Sequence, residues 1–117
     1  MKCALFSGLI PPMVTPLLAP DRLDVKSTKK MVRHLLAGGV DGIFLLGTTG
    51  EGPHLPYAVR EALVKNVCSL VKGKVPVLVG ITETDMEDAL RFARKCKSFG
   101  AAGVVAAPPY YFKLTQA

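Results

Sequence analysis

The amino-acid sequence predicts an α/β fold built on parallel strands. Short apolar runs alternate with longer segments whose apolar residues recur every three or four positions, in the order β-α-β-α-β-α-β. Neighbouring strands joined by a helix are parallel, with right-handed crossovers. Of the 117 residues 50% are hydrophobic and 21% are charged, which indicates one folded domain rather than a disordered chain. This pattern suits either an open parallel sheet or a (β/α) barrel.

Four apolar runs are the predicted strands, at residues 8–17, 40–47, 75–82 and 102–111. The first, "GLIPPMVTPL", begins as a strand and is then interrupted by prolines. The second, "VDGIFLLG", and the third, "VPVLVGIT", are nearly continuous apolar runs, as is typical of buried parallel strands. The fourth, "AGVVAAPPYY", runs into a Pro-Pro-Tyr-Tyr loop.

Three segments between these runs have the periodicity of amphipathic helices, at residues 26–39, 56–73 and 84–100. The third is the clearest, because acidic residues lie near its start and basic residues near its end, where the helix dipole favours them. Thr84 and Glu87 have the spacing of a capping box, which predicts that Thr84 caps this helix.

The charge and the cysteine content narrow the classes of function. The formal net charge is +6, but the basic residues are spread over the predicted helices, without interleaved aromatic residues or zinc-finger spacing. We therefore expect solvated helix faces and no nucleic-acid partner. The three cysteines include no CxxC pair, which indicates buried reduced thiols rather than a redox or metal site.

The N-terminal stretch "MKCALFSGLIPPMVTPLLAP" is apolar after a single lysine. Prolines at positions 11, 12 and 16 interrupt it, and no small-residue cleavage site follows cleanly, so we do not expect a signal peptide. No uninterrupted apolar run approaches the roughly 20 residues of a membrane span. Together with the reduced thiols, this predicts a cytoplasmic protein without a membrane partner.

Polar residues follow all four predicted strands, where the carboxyl ends of parallel strands meet at one edge of a sheet. The features there are Thr15, residues 47–51, residues 82–84 and residues 108–112. The sequence "GTTGE" at 47–51 could direct backbone N–H groups and hydroxyls at a carboxylate or a phosphate. It is neither a Walker loop nor a GxGxxG motif. The alternative is a plain strand-to-helix turn whose threonines satisfy local backbone groups.

"GTTGE" after the second strand, "PPMVTP" after the first and "PPYY" after the fourth occur in this order and at consistent spacing. In these motifs the chain resembles the dihydrodipicolinate synthase / N-acetylneuraminate lyase family of pyruvate-dependent class I aldolases, over residues 6–116. The resemblance implies a TIM (β/α)8-barrel. Residues 1–117 would then form roughly its first four strands and three helices, an N-terminal half truncated after strand 4.

The resemblance also implies roles for three residues of this chain. Thr49 looks like a binder of the pyruvate carboxylate, together with backbone amides of the same turn. Thr48 looks like a catalytic threonine that contacts the substrate and relays protons. Tyr111 looks like a catalytic tyrosine donated across a subunit interface of a homo-oligomer, either a dimer or a tetramer. The alternative for Tyr110 and Tyr111 is packing in an interface or core.

In that family a lysine on a later strand forms a Schiff base with pyruvate, and we expect neither a metal nor an organic cofactor. No lysine of this chain is a good substitute. Lys74 precedes the third strand at the opposite face, and Lys113 lies on a loop with nothing obvious to desolvate it. We therefore expect the 117-residue chain to be inactive alone. Its unpaired strand edges should make it associate with itself or with a partner, or make it poorly soluble. The alternatives are a non-catalytic interaction fragment and a small flavodoxin-like phosphate-binding module.

Overall fold

The computed structural model describes residues 6–108, 110–111 and 115 of the chain, so that the predictions made for Lys113 lie outside the described residues. Three α-helices and five short strands follow one another in this part of the chain. In chain order they are β1 (Leu17–Ala19), β2 (Arg22–Leu23), α1 (Val25–Ala37), β3 (Ile43–Leu45), α2 (Tyr57–Val71), β4 (Val77–Gly80), α3 (Met86–Phe99) and β5 (Gly103–Val105). A single 3-10 turn, Gly52–His54, precedes α2.

The strands β3, β4 and β5 form a parallel sheet in that order. Ile43 lies beside Val77, and Val79 lies beside both Leu45 and Val104. The predicted parallel arrangement of the second, third and fourth strands is therefore confirmed, as are the helix that precedes them and the two helices that connect them. Each strand is shorter than predicted, since only three or four residues of each apolar run pair in the ladder.

The prediction that residues 8–17 begin as a strand before the prolines is wrong, because no strand precedes Leu17 in the described part of the chain. A single parallel bridge joins Pro12 to Phe44, where the Phe44 N–H donates to the Pro11 carbonyl at 3.0 Å and the Met13 N–H donates to the Phe44 carbonyl at 2.8 Å. Pro11 and Pro12 have no N–H to donate, so the ladder cannot continue. The segment nevertheless lies along the edge of β3.

A short antiparallel hairpin, which the sequence analysis did not predict, follows this segment. Strand β1 pairs with β2, with Leu17 beside Leu23, and the register shifts between Leu17 and Ala19. The hairpin leads directly into α1, where the Asp24 carboxylate caps the helix by accepting the Ser27 N–H at 2.9 Å.

The hydrophobic core lies between the sheet and the helices. Alternate strand residues Ile43, Leu45, Val77 and Val79 are at most 3% exposed, and their neighbours Phe44 and Leu78 on the opposite face are only half-buried. The helices contribute their apolar stripes to the same core, through Val32 of α1, through Leu63, Val64, Val67 and Val71 of α2, and through Phe92 and Cys96 of α3.

The N-cap of α3 is Asp85 rather than the predicted Thr84. The Asp85 carboxylate accepts the Asp88 N–H at 2.9 Å, and the helix begins at Met86. Thr84 lies one residue too early to cap it, and its N–H donates instead to the Glu83 carboxylate at 2.8 Å. Asp and Thr are both good N-caps, and it is the Asp85 side chain that accepts a first-turn N–H here.

The chain reverses at the end of β3 through an unusual backbone conformation. Leu46 has a φ of +59°, in the left-handed region that side chains with a Cβ rarely adopt. Its carbonyl oxygen packs so closely against Gly52 and Gly80 that a Cβ at either position would collide with it. These two glycines therefore let the turn after β3 lie against the end of β4.

A buried hydrogen bond attaches this turn to the edge segment. The Thr15 hydroxyl, in a residue only 6% exposed, donates to the Gly50 carbonyl at 2.7 Å. A Cβ at Gly50 would lie 3.0 Å from the Met13 carbonyl oxygen and 2.9 Å from the Leu46 nitrogen. The turn is therefore packed tightly against the strand ends on both sides of it.

We expect Gly80→Ala to lower the free energy of unfolding by about 1–3 kcal/mol, because the added methyl overpacks the Leu46 carbonyl. Gly38→Ala is the matched control, since Gly38 has an ordinary helical φ of −74° and only contacts of 3.4 Å to a new Cβ. Urea denaturation followed by circular dichroism measures both changes. Equal stabilities of the two variants would contradict the close packing described here.

We expect Thr15→Val to destabilise the chain by about 1–3 kcal/mol, because it leaves the buried Gly50 carbonyl without its donor in a site of unchanged shape. Thr15→Ser keeps the hydroxyl and should retain most of the wild-type stability. The same denaturation experiment separates the two, and a Thr15→Val variant as stable as Thr15→Ser would show that the hydrogen bond contributes nothing.

Candidate functional site

A cleft of about 480 Å³ lies at the carboxyl ends of β3, β4 and β5. Its walls are mainly apolar, with Phe44 and Val105 among them, and a few polar side chains reach it. These are Thr48, His54, Thr82 and Tyr110. An apolar concavity with a small number of convergent polar groups is the usual form of a small-molecule site.

The turn at residues 47–51 forms one wall of this cleft. Its shape is held by two backbone hydrogen bonds, from the Glu51 N–H to the Thr48 carbonyl at 3.1 Å and from the Gly52 N–H to the Gly47 carbonyl at 3.2 Å. Among the described residues, no acceptor bonds the N–H groups of residues 47–50. A run of unbonded backbone N–H groups in a tight turn is a feature of anion-binding sites.

The structure separates the two threonines of the turn. Thr48 lines the cleft, whereas Thr49 is not among the residues that line it. Both are solvent exposed, and neither hydroxyl hydrogen-bonds to another group of the described chain. The alternative interpretation, in which the two threonine hydroxyls hydrogen-bond to the local backbone, is therefore wrong for the described chain.

The two tyrosines after β5 also differ in position. Tyr110 lines the cleft and is 42% exposed, whereas Tyr111 lies outside the lining and is 86% exposed. Tyr111 has a φ of +81°, so the backbone turns sharply between the two rings. The structure thus brings Tyr110, which the sequence analysis did not assign to the site, next to the cleft that Thr48 lines.

Thr82 connects the ends of β4 and β5 at the floor of the cleft. Its hydroxyl oxygen accepts the Ala107 N–H at 3.0 Å. The polar residue that follows the third predicted strand therefore lies at the same sheet edge as the turn at 47–51, as expected from parallel strands.

The lysines lie away from the cleft. Every lysine between residues 6 and 108 is solvent exposed, and none lines the cleft. Within this part of the chain, no amine is buried in the way that a Schiff-base nucleophile requires.

A buried arginine beside the cleft was missed by the sequence analysis. Arg60 is 6% exposed, and its guanidinium lies 4.4 Å from the centre of the Tyr57 ring and 3.4 Å from a Glu83 oxygen. The signal in the sequence was its register, since Arg60 precedes Leu63, Val64 and Val67 by three, four and seven positions on the apolar face of α2.

Burial and hydrogen bonding shift the pKa values within this cluster. Burial, with the hydrogen bond that the Tyr57 hydroxyl donates to Glu83 at 3.0 Å, raises the pKa of Tyr57 to about 12. Burial also acts to raise the pKa of Glu83, but bonds from the Thr84 N–H, the Tyr57 hydroxyl and the Thr84 hydroxyl, with the Arg60 charge, lower it overall. Glu83 is therefore an ionised acceptor at neutral pH, and Tyr57 is a neutral donor.

The described cysteines are free thiols within the helical layer. Burial raises the pKa of Cys96 to about 12 and also raises the pKa of Cys68, so neither is a reactive thiolate at neutral pH. Between residues 6 and 108, no group of three or more His, Cys, Asp or Glu side chains could hold a metal ion. No described helix is long and apolar enough to cross a membrane.

Residues 5–117 match the model of the dihydrodipicolinate synthetase family. A probable 2-dehydro-3-deoxy-D-pentonate aldolase of Escherichia coli, YjhH, is 38% identical over 109 residues, which are 93% of this chain and 36% of that protein. The structure of dihydrodipicolinate synthase from Bacteroides thetaiotaomicron superposes with a TM-score of 0.91 at 47% identity, over 99% of this chain and 39% of that one.

The structure of YagE from Escherichia coli, a member of the dihydrodipicolinic acid synthase family in complex with pyruvate, also superposes with a TM-score of 0.91, at 36% identity. It matches 96% of this chain, which covers 38% of the YagE chain. The chain thus spans less than two fifths of the length of these relatives, which are TIM-barrel proteins, and forms part of such a barrel. The matches extend over almost the whole of the sequence, and the chain belongs to the dihydrodipicolinate synthetase family.

Proposed function

We propose that the protein to which this chain belongs is a carbon–carbon lyase, or aldolase, that acts on pyruvate or another 2-keto acid through a lysine Schiff base. The observation that carries the proposal is the turn at 47–51, whose N–H groups at residues 47–50 have no acceptor in the described part of the chain. Several N–H groups in one turn match the several lone pairs of a carboxylate. Family membership and the pyruvate complex of YagE support the same substrate class.

Three residues have roles in this proposal. Thr48 lines the cleft, where it contacts the keto acid and passes protons during imine formation. Thr49 is exposed next to it, outside the lining residues, and binds the carboxylate together with the turn amides. Tyr111 joins the proton relay from a neighbouring subunit of a homo-oligomer. Its 86% exposure is compatible with a ring that projects towards a partner rather than into its own cleft.

The nucleophilic lysine is not supplied by the described residues, and we propose that the 117-residue chain alone is inactive. The supporting observation is that its described lysines are all exposed. A Schiff-base lysine is activated by desolvation or by a cationic neighbour, and none of these exposed side chains is desolvated.

The second candidate function is a non-catalytic interaction fragment. Val104 and Val105 of β5 are 45% and 37% exposed, which leaves an apolar strand edge open to a partner. A flavodoxin-like phosphate-binding module is the weaker alternative, because both structures compared above belong to the aldolase family.

We expect pyruvate to shift the amide resonances of residues 47–50 in the isotope-labelled chain, because its carboxylate accepts hydrogen bonds from these N–H groups. Thr49→Val should weaken binding about tenfold or more, since a hydrogen bond to a charged group contributes about 1.5–3 kcal/mol. Thr49→Ser keeps the hydroxyl and should bind nearly as well as the wild type. A titration followed by nuclear magnetic resonance measures all three affinities.

Pyruvamide is the control for charge, since it has the shape of pyruvate without the carboxylate. Equal resonance shifts with both compounds would overturn the assignment of a carboxylate site. Borohydride reduction of the pyruvate sample, followed by mass spectrometry, checks the inactivity, because an adduct on any lysine would contradict it.

The 117-residue chain should self-associate as its concentration rises, through the exposed edge of β5. Val104→Lys should weaken this association, because a charge on an edge strand opposes pairing with another strand. Leu18→Lys is the matched control, since Leu18 is 61% exposed but lies in the separate hairpin. Sedimentation velocity over a range of concentrations tests this, and a stable monomer at high concentration would contradict it.

A further inference from the structure

Arg60 is a charged side chain placed on the buried face of α2. It is 6% exposed, and a guanidinium in such a position must find partners for its N–H groups. Its Nε donates to the Leu55 carbonyl at 2.7 Å and its Nη2 to the Pro53 carbonyl at 3.2 Å. Its Nη1 contacts a Glu83 oxygen at 3.4 Å.

The positive charge of Arg60 is already compensated inside the protein. Glu83 lies beside the guanidinium, and the face of Tyr57 packs against it at 4.4 Å. Tyr57 in turn makes an edge contact with Phe92 of α3, with ring centres 5.4 Å apart. An arginine enclosed in this way is not placed to bind a substrate anion directly, and Arg60 does not line the cleft.

The partners of Arg60 belong to the loops on two sides of the cleft. Pro53 lies in the 3-10 turn and Leu55 directly follows it. The Leu55 N–H donates to the Gly52 carbonyl at 3.3 Å, and the Gly52 N–H donates to the Gly47 carbonyl at 3.2 Å. These two bonds connect the 3-10 turn to the turn at 47–51. Glu83 directly follows Thr82, which lines the cleft. One side chain thus connects the loop after β3 to the loop after β4.

We propose that Arg60 is a positioning residue for the 2-keto acid cleft, which holds the turn at 47–51 against the end of β4 so that its N–H groups keep the geometry for a carboxylate. The inference rests on the function proposed above for the cleft. Planar donors at fixed angles suit this role, because a guanidinium bonds two carbonyls and a carboxylate at once, whereas a lysine ammonium is a point charge on a flexible stem.

The test uses the full chain with Arg60→Met, which keeps much of the side-chain length and apolar packing but removes every donor. We expect amide hydrogen exchange in residues 47–55 to accelerate about tenfold, since the Pro53 and Leu55 carbonyls lose their partner. Pyruvate affinity, measured by the resonance shifts of the same turn, should fall by a similar factor. Arg60→Lys should recover only part of both effects.

Arg91→Met is the matched control. Arg91 also pairs with an acidic side chain, Asp88, at 2.5 Å, but its side chain is 73% exposed, so its removal should change neither exchange in the turn nor pyruvate affinity. Glu83→Gln is the second variant should Arg60→Met unfold the chain. It keeps an acceptor for Tyr57 but removes the charge, and we expect about a threefold to tenfold acceleration of exchange in the same segment.

The two readouts separate the failure of the positioning role from the failure of the proposed function. Unchanged hydrogen exchange in residues 47–55 in Arg60→Met, or in Glu83→Gln if the former is unfolded, would overturn the positioning role whatever the pyruvate data show. Faster exchange confined to that segment, with reduced pyruvate affinity, supports it. Faster exchange with no pyruvate binding even to the wild type would overturn the positioning of a keto acid site and the proposed substrate, and would leave Arg60 with a purely structural role.

Discussion

The position of the Leu46 carbonyl is the constraint on which the cleft depends. The left-handed conformation of Leu46 reverses the chain at the end of β3, and it persists only where the surrounding structure holds it. Gly52 and Gly80 leave room for this conformation, because a Cβ at either position would collide with the Leu46 carbonyl oxygen. Backbone packing therefore brings the turn at 47–51 close to the end of β4, and the side chains of Thr15 and Arg60 add hydrogen bonds to this arrangement.

Most of the fold could be predicted from the sequence because it follows from periodicity. The apolar stripe of α2 and the continuous apolar runs of β3 and β4 predict helices packed on a parallel sheet, which suits an open sheet or a barrel. The first predicted strand was wrong because its prolines removed the donors that a ladder needs, although the same residues lie along the sheet edge. The hairpin of β1 and β2 could not be predicted, since strands of three and two residues are too short to show an alternating apolar pattern.

The candidate site was predictable as far as strand order determines it. Parallel strands place their carboxyl ends together, so the turn at 47–51 and Thr82 meet at one cleft. The direction of individual side chains was not predictable, because neighbouring residues in irregular loops diverge without a period. Thr48 and Tyr110 therefore line the cleft, whereas the adjacent Thr49 and Tyr111 do not. The burial of Arg60 could have been predicted, because it lies in the apolar register of α2, where a charged side chain must have buried partners.

The open face of the sheet has an electrostatic consequence for any anion bound in the cleft. Phe44 is only half-buried on that face and Val105 is 37% exposed, and both line the cleft, so water reaches these parts of its wall. The attraction between N–H dipoles and a carboxylate falls as the effective dielectric constant rises, about fourfold between a protein surface and bulk water. Exclusion of water from this face would therefore strengthen the attraction between an anion and the N–H groups of the turn, without any new contact to the anion.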